Sequence, residues 1–340
     1  MNIVLSTLIL LLSGGAVALI KPIGNILLMD HLNINHQRGR HDLLKSFYVD
    51  LLGLALDPRK AENIEKGRKT LWVNAGITQF HLPEEENAQV FDGIITLAYK
   101  NSASLLEVVS RLQRPPDLLQ STSFEWSQHS DKANSCIHVS DPWGSQFRLI
   151  VDPDAQDERG SQPSATSCSA TISDLCFYVP RGTALDGIAR FYEQILLAPC
   201  QNPSTAGSEC VSIVVSPHQT LTFRHSSSSL ASQREEDVVR DELGKVLSHT
   251  GPHISMYVKD LMGTYQRASA AGALFVNTRF KRQAHSLDDA VDQCMFRTLD
   301  IVDPENASAG VLFRLEHEIR SVVNRDGTKY KSCPFYEVPL

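Results

Sequence analysis

The sequence lacks the short motifs that mark the common nucleotide-dependent and hydrolytic enzymes. Its 340 residues contain no Walker loop, no dinucleotide-binding glycine fingerprint and no G-x-S-x-G elbow. The seven cysteines form no C-x-x-C pair, so a structural zinc site of that type is not expected. Basic residues are outnumbered, with 32 Lys and Arg against 39 Asp and Glu and a net charge of −7. This balance argues against a nucleic-acid-binding surface and predicts a soluble, mildly acidic protein.

Residues 30–54, DHLNINHQRGRHDLLKSFYVDLLGL, contain the clearest local pattern in the chain. Apolar residues alternate at its start, which is typical of a half-buried strand. They then recur at helical spacing from Leu43 to Leu52, and Gly53 follows as a stop signal. The stretch predicts a strand, a loop and an amphipathic helix, with Asp30 and His31 at the entrance of the strand.

The same order of strand and helix returns three more times. ISDLCFYV from Ile172 precedes GIARFYEQILLAP, GPHISMYV from Gly251 precedes TYQRASAAGA, and FDGIITLAY from Phe91 begins a weaker copy. The closing segments also match, with DPWGSQFRL from Asp141 and DPENASAGVLFRL from Asp303. Such a repeat predicts four copies of one supersecondary unit, each burying its apolar face against another copy.

These motifs resemble those of the vicinal oxygen chelate superfamily, which includes glyoxalases, bleomycin and fosfomycin resistance proteins and extradiol dioxygenases. The resemblance rests on DHLNIN, FYVDLLGL, DPWG, GPHISMYV and the ending FRLEHE, and covers roughly residues 26–320. It implies an α+β fold in which four βαβββ modules pair into two cup-shaped domains of mixed sheet. It also implies a divalent metal in a cup, held by residues at the start of first strands and by a carboxylate on a last strand.

Composition suggests where the domains begin and end. Polar residues dominate Asp152–Ala170, which is typical of a linker. We therefore expect a first domain over residues 21–153, a linker over 154–170, a second domain over 171–320 and a C-terminal tail over 321–340. Consecutive modules are expected to pair within each domain.

Two connecting segments carry their own predictions. RPPDLLQ from Arg114 predicts a loop, because Pro115 and Pro116 would each break a helical hydrogen-bond ladder. EEDVVRDELGKVL has apolar residues at helical spacing from Val238 to Val246, which predicts a solvated surface helix.

The first 20 residues predict a targeting segment. They form an apolar run broken by Ser13, Gly14 and Gly15, and Ala16 to Ala18 match a signal-peptidase pattern. A cleaved signal is favoured over a retained anchor, because the run is short and interrupted. The expected location is the secretory pathway, as a secreted or ER-lumen protein, or a plastid reached through it. No integral membrane domain is expected after cleavage, and monomer and homodimer both stay open.

The resemblance implies a metal site in the second domain. Asp174 and His253 take the first-strand positions, and Glu316 supplies the carboxylate if the last strand shifts by two residues. In the unshifted alignment Arg314 takes that position, and we expect it to bind substrate. The implied site of Asp174, His253 and Glu316 would hold Fe, Mn, Zn or Ni, with Glu316 also acting as the catalytic proton carrier.

The first domain offers fewer ligands. His31 fits the opening position, but Ile94 and Arg148 stand where further ligands would be, and an alkyl group and a cation cannot hold a metal. We therefore expect a metal-free first cup in which His31, His81 and Arg148 bind substrate. His31 could instead be a hydrogen-bonded strand-entry histidine. His36 to His41 could be an exposed loop or a basic mouth for an anionic substrate.

Two functions of different class follow from these residues. The first is a metal-dependent enzyme, a lyase, isomerase or dioxygenase that acts on a small oxygenated substrate in the second cup. The second is a metal-free protein of the bleomycin-resistance type that sequesters an organic anion. Metal content after purification separates the two.

Overall fold

The described part of the chain comprises residues 24–61, 66, 70–131, 134–156, 158–159, 166–168, 170–201, 209–226 and 237–338 of a computed structural model. The predicted targeting segment, residues 1–20, lies outside it, and the expected location stays a prediction. Among the described residues, no helix combines the length and apolarity that crossing a bilayer requires.

Four modules of one strand, one principal helix and three further strands make up the fold, with short additions. The first module contains β1 (Ile26–Asn33), β2 (His36–Gln37), α1 (His41–Leu44) with a π-helical continuation (Lys45–Leu51), β3 (Ala55–Leu56), β4 (Thr70–Ala75) and β5 (Thr78–Glu85). The second contains β6 (Gly93–Tyr99), α2 (Ser102–Leu112), α3 (Asp117–Gln120), β7 (Trp126–Asp131), β8 (Asn134–Ser140) and β9 (Gln146–Val151).

The second half of the chain repeats this order after a short hairpin of β10 (Glu158–Arg159) and β11 (Thr166–Ser167). The third module contains β12 (Ala170–Val179), α4 (Leu185–Ile195), β13 (Cys200–Gln201), β14 (Cys210–Ser216) and β15 (Gln219–His225). A hairpin of β16 (Val238–Arg240) and β17 (Val246–His249) follows. The fourth module contains β18 (His253–Val258), α5 (Leu261–Ala270), β19 (Leu274–Phe275), α6 (Leu287–Gln293), β20 (Met295–Val302) and β21 (Val311–Ser321), with a 3₁₀ turn at Ala307–Ala309.

The modules form two mixed sheets, which confirms the predicted α+β fold class. The first and fourth modules form a nine-stranded sheet in the order β19-β20-β21-β18-β1-β5-β4-β3, with β2 beside β5. The second and third form an eight-stranded sheet in the order β13-β14-β15-β12-β6-β9-β8-β7. We call these the outer sheet and the inner sheet, after the positions of their modules in the chain.

This pairing corrects the expectation that consecutive modules share a sheet. β1 pairs antiparallel with β18, and β6 with β12, so the expected domains 21–153 and 171–320 each contribute strands to both sheets. Paired strand edges consist of backbone N–H and C=O groups, which all four first strands offer alike. Local sequence pattern therefore predicts the modules but does not select their partners.

One hydrophobic core runs through both sheets. Phe47 of the π-helical segment packs on Phe147 of β9, with ring centroids 5.4 Å apart. The buried Gln219 side chain joins the sheets as well. Met29 N–H donates to Gln219 Oε1 at 3.0 Å, and Gln219 Nε2 donates to the carbonyls of Met29 and Ile172 at 3.2 and 3.1 Å. The two sheets are thus packed as one body.

Both predictions for connecting segments need correction. Residues 238–249 form a β-hairpin rather than a helix. Its turn is stabilised by Asp241, whose Oδ1 accepts from the N–H groups of Leu243 and Lys245, and Gly244 adopts a φ of +82°. Leu243 therefore lies exposed at a turn instead of on a helix face. RPPDLLQ contains the short helix α3, which begins after the second proline.

The segments predicted as linker and tail both pack on the outer sheet. Arg159, inside the predicted linker, is 3% exposed and donates to Asp30 Oδ1 at 2.8 Å. In the tail, Ser332 O accepts from Tyr257 Oη at 2.6 Å, and Cys333 is fully buried. The tail therefore covers one side of the cup formed by the outer sheet.

Candidate functional site

Strand pairing in the outer sheet brings two histidines together. In the antiparallel β1–β18 register, His31 is opposite Ser255 and Asn33 is opposite His253. The two imidazoles consequently lie diagonally across one strand pair, with ring centroids 5.9 Å apart. His253 begins β18, as the sequence predicts, but β1 starts at Ile26, so His31 lies near the end of its strand and the predicted entrance at Asp30 and His31 is wrong. Because β1 and β18 are antiparallel, the end of one meets the start of the other, and both histidines line one shared cup.

Glu318 of β21 completes a group of potential metal ligands. One ligand atom from each of His31, His253 and Glu318 lies within 4.8 Å of the other two. All three residues are buried. β21 runs parallel to β18 and places Glu316 opposite His253 and Glu318 opposite Ser255. The carboxylate that reaches the histidines is therefore two residues beyond the predicted one.

A local irregularity in β1 fixes the orientation of His31. The strand register shifts between Met29 and His31, which is typical of a β-bulge. The neighbouring side chains of Asp30 and His31 can then meet, and His31 Nδ1 lies 2.8 Å from Asp30 Oδ2. An ionised carboxylate can only accept, so Nδ1 carries the proton and Nε2 keeps its lone pair. This carboxylate–histidine contact is the usual support of a metal-binding imidazole.

Electrostatics set the charge states that a metal requires. Burial lowers the pKa of His31, although Asp30 opposes it, and burial lowers the pKa of His253 to about 3. Burial would raise the pKa of Glu318, but Arg297 and Arg320 hold it well below its usual range. Near neutral pH the group therefore consists of two neutral imidazoles and one carboxylate.

His81 of β5, which the sequence predicts to bind substrate, lies beside this group. Its ring stacks on His31 with centroids 3.6 Å apart and on Trp72 with centroids 4.4 Å apart. In the β1–β5 register, His31 is opposite Gln79 and Asn33 is opposite His81. By the repeat symmetry of the outer sheet, His81 thus occupies the position that Glu318 has in the fourth module.

The structure does not bring the predicted metal set together. Asp174 lies in β12 of the inner sheet, where its Oδ1 accepts from Thr220 and Thr222 at 2.6 and 2.9 Å. Burial raises the pKa of Asp174. Of the set of Asp174, His253 and Glu316, only His253 contributes to the histidine and Glu318 group. The reason is the module pairing, which separates the third module from the fourth.

Glu316 is held by groups behind the cup. Its carboxylate accepts from Arg297 Nη1 at 2.6 Å and from Asn277 Nδ2 at 2.8 Å, and lies 3.2 Å from His249 Nδ1. Burial raises its pKa, but His249 and Arg297 outweigh burial and lower the pKa to about 2. A carboxylate so well stabilised in its ionised form is a weak base.

The two predicted substrate-binding arginines lie apart from this cup. Arg148 is in β9 of the inner sheet, where its charge lowers the pKa of Asp174 against the effect of burial. Arg314 is opposite Asp300 in the β20–β21 ladder, and its Nε donates to Asp300 Oδ1 at 3.0 Å. Neither side chain lines the cavity around His31 and His253.

A cavity of about 280 Å³ opens onto the histidine and Glu318 group. Besides those residues its walls comprise Asn33, Arg59, Trp72, Gln79, His81, Arg159, Phe280, Lys281, Arg282, Arg297, Arg320 and Ser332. Sequence reasoning missed most of the basic residues in this wall. The one available signal was the period of two in RLEHEIR, which puts Glu316, Glu318 and Arg320 on one face of the strand.

Comparisons with solved structures find similar folds. A putative dioxygenase from Bacillus subtilis matches with a TM-score of 0.51 and 11% identity, over 87% of this chain and 86% of that one. Glyoxalase I from Zea mays matches with a TM-score of 0.47 and 11% identity, over 86% of this chain and 92% of that one. No protein-family model and no curated protein matches the sequence. The four paired modules and the match to the Bacillus subtilis structure confirm that the chain has the fold of the vicinal oxygen chelate superfamily.

Proposed function

We propose that the outer-sheet cup is the active site of a divalent-metal-dependent enzyme, of dioxygenase or lyase type, that acts on a small oxygenated anion. The observation that carries this proposal is the buried convergence of His31, His253 and Glu318 on one cavity. Two histidines and one carboxylate with open positions are the ligand set of non-haem Fe(II) oxygenases, and such ligands also accept Mn, Zn or Ni. When bound, the metal would polarise substrate oxygens or activate O₂.

The cavity walls favour an anionic substrate. Arg159 and Arg320 pair with Asp30 at 2.8 and 3.5 Å, so their charges are partly compensated. Lys281 and Arg282 have no acidic partner among the described residues. These two cations leave the wall net positive and would attract a carboxylate or phenolate. Trp72 and Phe280 add flat apolar surfaces that suit a planar substrate.

His81 is the group we assign to proton transfer. Its Nε2 lies 3.2 Å from Gln79 Oε1, which can only accept, so Nε2 carries the proton and Nδ1 has a free lone pair. Burial and the neighbouring His31 hold the pKa of His81 well below its usual value, so the ring is neutral. His81 lines the cavity, so its Nδ1 lone pair can accept a substrate proton there, whereas Glu316 does not line the cavity.

Metal content tests the proposal. We expect the full chain, purified without oxygen, to carry Fe, Mn, Zn or Ni. A His253→Ala variant should carry one metal equivalent less. The exposed His285 serves as the matched control, and His285→Ala should keep the metal content of the wild type. Equal metal content in the wild type and His253→Ala would refute a metal centre at this cup.

One observation favours a second candidate, a metal-free binding protein for an organic anion. Both oxygens of Glu318 are already engaged, one by Arg297 and the other by Arg320 at 2.5 Å. In this alternative the arginines and Glu318 only shape a basic pocket. Binding of an aromatic carboxylate, measured by calorimetry, should then be equal in the wild type and His253→Ala and weaker in Arg282→Ala.

A further inference from the structure

Another buried histidine of the first module, His36, has no well-formed hydrogen bond at either ring nitrogen. His36 is 1% exposed, and the backbone of Pro83 and Leu82 raises its pKa only weakly, because neither Nδ1 nor Nε2 makes a well-formed hydrogen bond within the described residues. Buried imidazole nitrogens without a partner are unusual, because desolvation is then uncompensated. The sequence predicts an exposed loop or a basic mouth here, so the burial of His36 requires another explanation.

Two further ligands converge on His36. β2 pairs with β5 so that His36 is opposite Glu84, and His41 begins α1 five residues later. The rings of His36 and His41 have centroids 4.9 Å apart, and one ligand atom from each of the three residues lies within 4.8 Å of the others. His41 Nε2 is also buried without a partner. Glu84 Oε1 accepts from Gly39 N–H at 2.5 Å, which leaves the other oxygen for a ligand.

We propose that His36, His41 and Glu84 bind a second divalent transition-metal ion, with Zn²⁺ as the best match. Two imidazoles and one carboxylate provide lone pairs rather than N–H donors, so they suit a cation and not an anion. This site shares no residue with the His31, His253 and Glu318 group and does not depend on the proposed function.

The surroundings fit a three-residue site with one position left for water. Burial, and then the proximity of His41, lower the pKa of His36 to about 4, so the ring is neutral and able to coordinate. Trp143, from the turn between β8 and β9, lies 6.3 Å from His36 between ring centroids, and its buried indole N–H has no partner. A metal-bound water would give this N–H an acceptor. His41 and Glu84 are half-buried, which leaves a path for the ion.

A metal ion at this site would connect three segments of the first module. It would tie β2, the start of α1 and the end of β5 through one ion. The short strand β2, of two residues, is otherwise held by its pairing with β5. We therefore assign the ion a structural role, in which it stabilises the loop between β1 and α1.

Equilibrium dialysis of the chelator-stripped full chain against Zn²⁺ tests the proposal, with bound equivalents counted by elemental mass spectrometry. His36→Leu keeps an apolar side chain in the core and removes both nitrogens. We expect His36→Leu and Glu84→Gln each to bind one equivalent less than the wild type. His285→Asn, at an exposed histidine, should lose none.

The outcomes separate this site from the first one. If the outer-sheet cup binds no metal, His253→Ala keeps the wild-type count while His36→Leu still loses one equivalent. Unchanged Zn²⁺ binding by both His36→Leu and Glu84→Gln overturns the second site. If circular dichroism shows that His36→Leu does not fold, Glu84→Gln, at the half-buried end of β5, decides alone.

Discussion

At the scale of single residues, the site depends on which neighbours neutralise each buried charge. The sequence predicts His31, His81 and His253 as functional residues, because they recur near strand entrances or follow a strand motif. It does not predict that Glu318 rather than Glu316 faces the cup. Both glutamates lie on the same face of β21, and only the register of β21 against β18 separates them. Register is set by long-range pairing, which local pattern does not contain.

Buried neutral histidines make stability depend on pH. The pKa values of His36, His253 and His317 are lowered to about 4, 3 and 4, with burial as the main cause in each. Below pH 6.5 the unfolded chain binds more protons than the folded chain, so stability falls as pH drops toward the folded pKa values. We expect the metal-free protein to lose about 4 kcal/mol per pH unit near pH 5 from these three residues together.

Urea unfolding of metal-free protein between pH 7 and 5 measures this loss. His317 provides the matched variant, because it is fully buried, lies 2.7 Å from Tyr192 Oη through its Nε2 and is not a ligand of either proposed metal site. His317→Gln should reduce the pH slope by about a third of that value. A free energy of unfolding that stays constant over this range would contradict the neutral, buried state of these rings.

At the scale of elements, the C-terminal tail acts as a wall of the cup. Tyr330 is 5% exposed, and its hydroxyl accepts from Arg282 Nη1 at 2.5 Å. Tyr330 and Cys333 pack with Leu27 and Tyr257 in a small cluster on the outer sheet. The apolar residues of the tail predict that it packs somewhere. The choice of cup could not be predicted, since it depends on the pairing of β1 with β18.

Loss of the Tyr330 anchor should release the tail. We expect Tyr330→Ala to cost about 3 to 5 kcal/mol of stability, as truncation of a buried aromatic residue does. Cys333, fully buried in the native chain, should then react with iodoacetamide at least about tenfold faster in native buffer, because local opening exposes it. Tyr336, which is 82% exposed in the same tail, provides the control. Equal alkylation of Tyr330→Ala and Tyr336→Ala would show that the tail is not anchored through Tyr330.

At the scale of the whole molecule, the two sheets each combine both halves of the chain. The repeat in the sequence predicts the four modules and their internal order well, because each module is specified by local periodicity. The pairing of the modules is specified by strand edges and by buried contacts between residues that are distant in sequence, such as Gln219 with Met29. This is why the predicted domain boundaries do not match the sheets.

The halves of the chain should therefore not fold separately. A fragment of residues 21–153 would leave β1 and β6 without their partners β18 and β12. We expect this fragment alone to lack a cooperative thermal transition by circular dichroism. Mixed with residues 154–340 during refolding, it should form a 1:1 complex in gel filtration that shows such a transition. A stable, monomeric 21–153 fragment would contradict the observed pairing.

The modules of the inner sheet lie between those of the outer sheet in the sequence. This arrangement sets the order in which the two sheets can form during synthesis on the ribosome. Every strand of the inner sheet has been synthesised once His225 has emerged, whereas the outer sheet waits for β21, which ends at Ser321. His31 is made before the inner sheet and Glu318 after it. Premature termination between His225 and Glu318 thus yields a polypeptide that can pair its middle modules but cannot bring His31, His253 and Glu318 together.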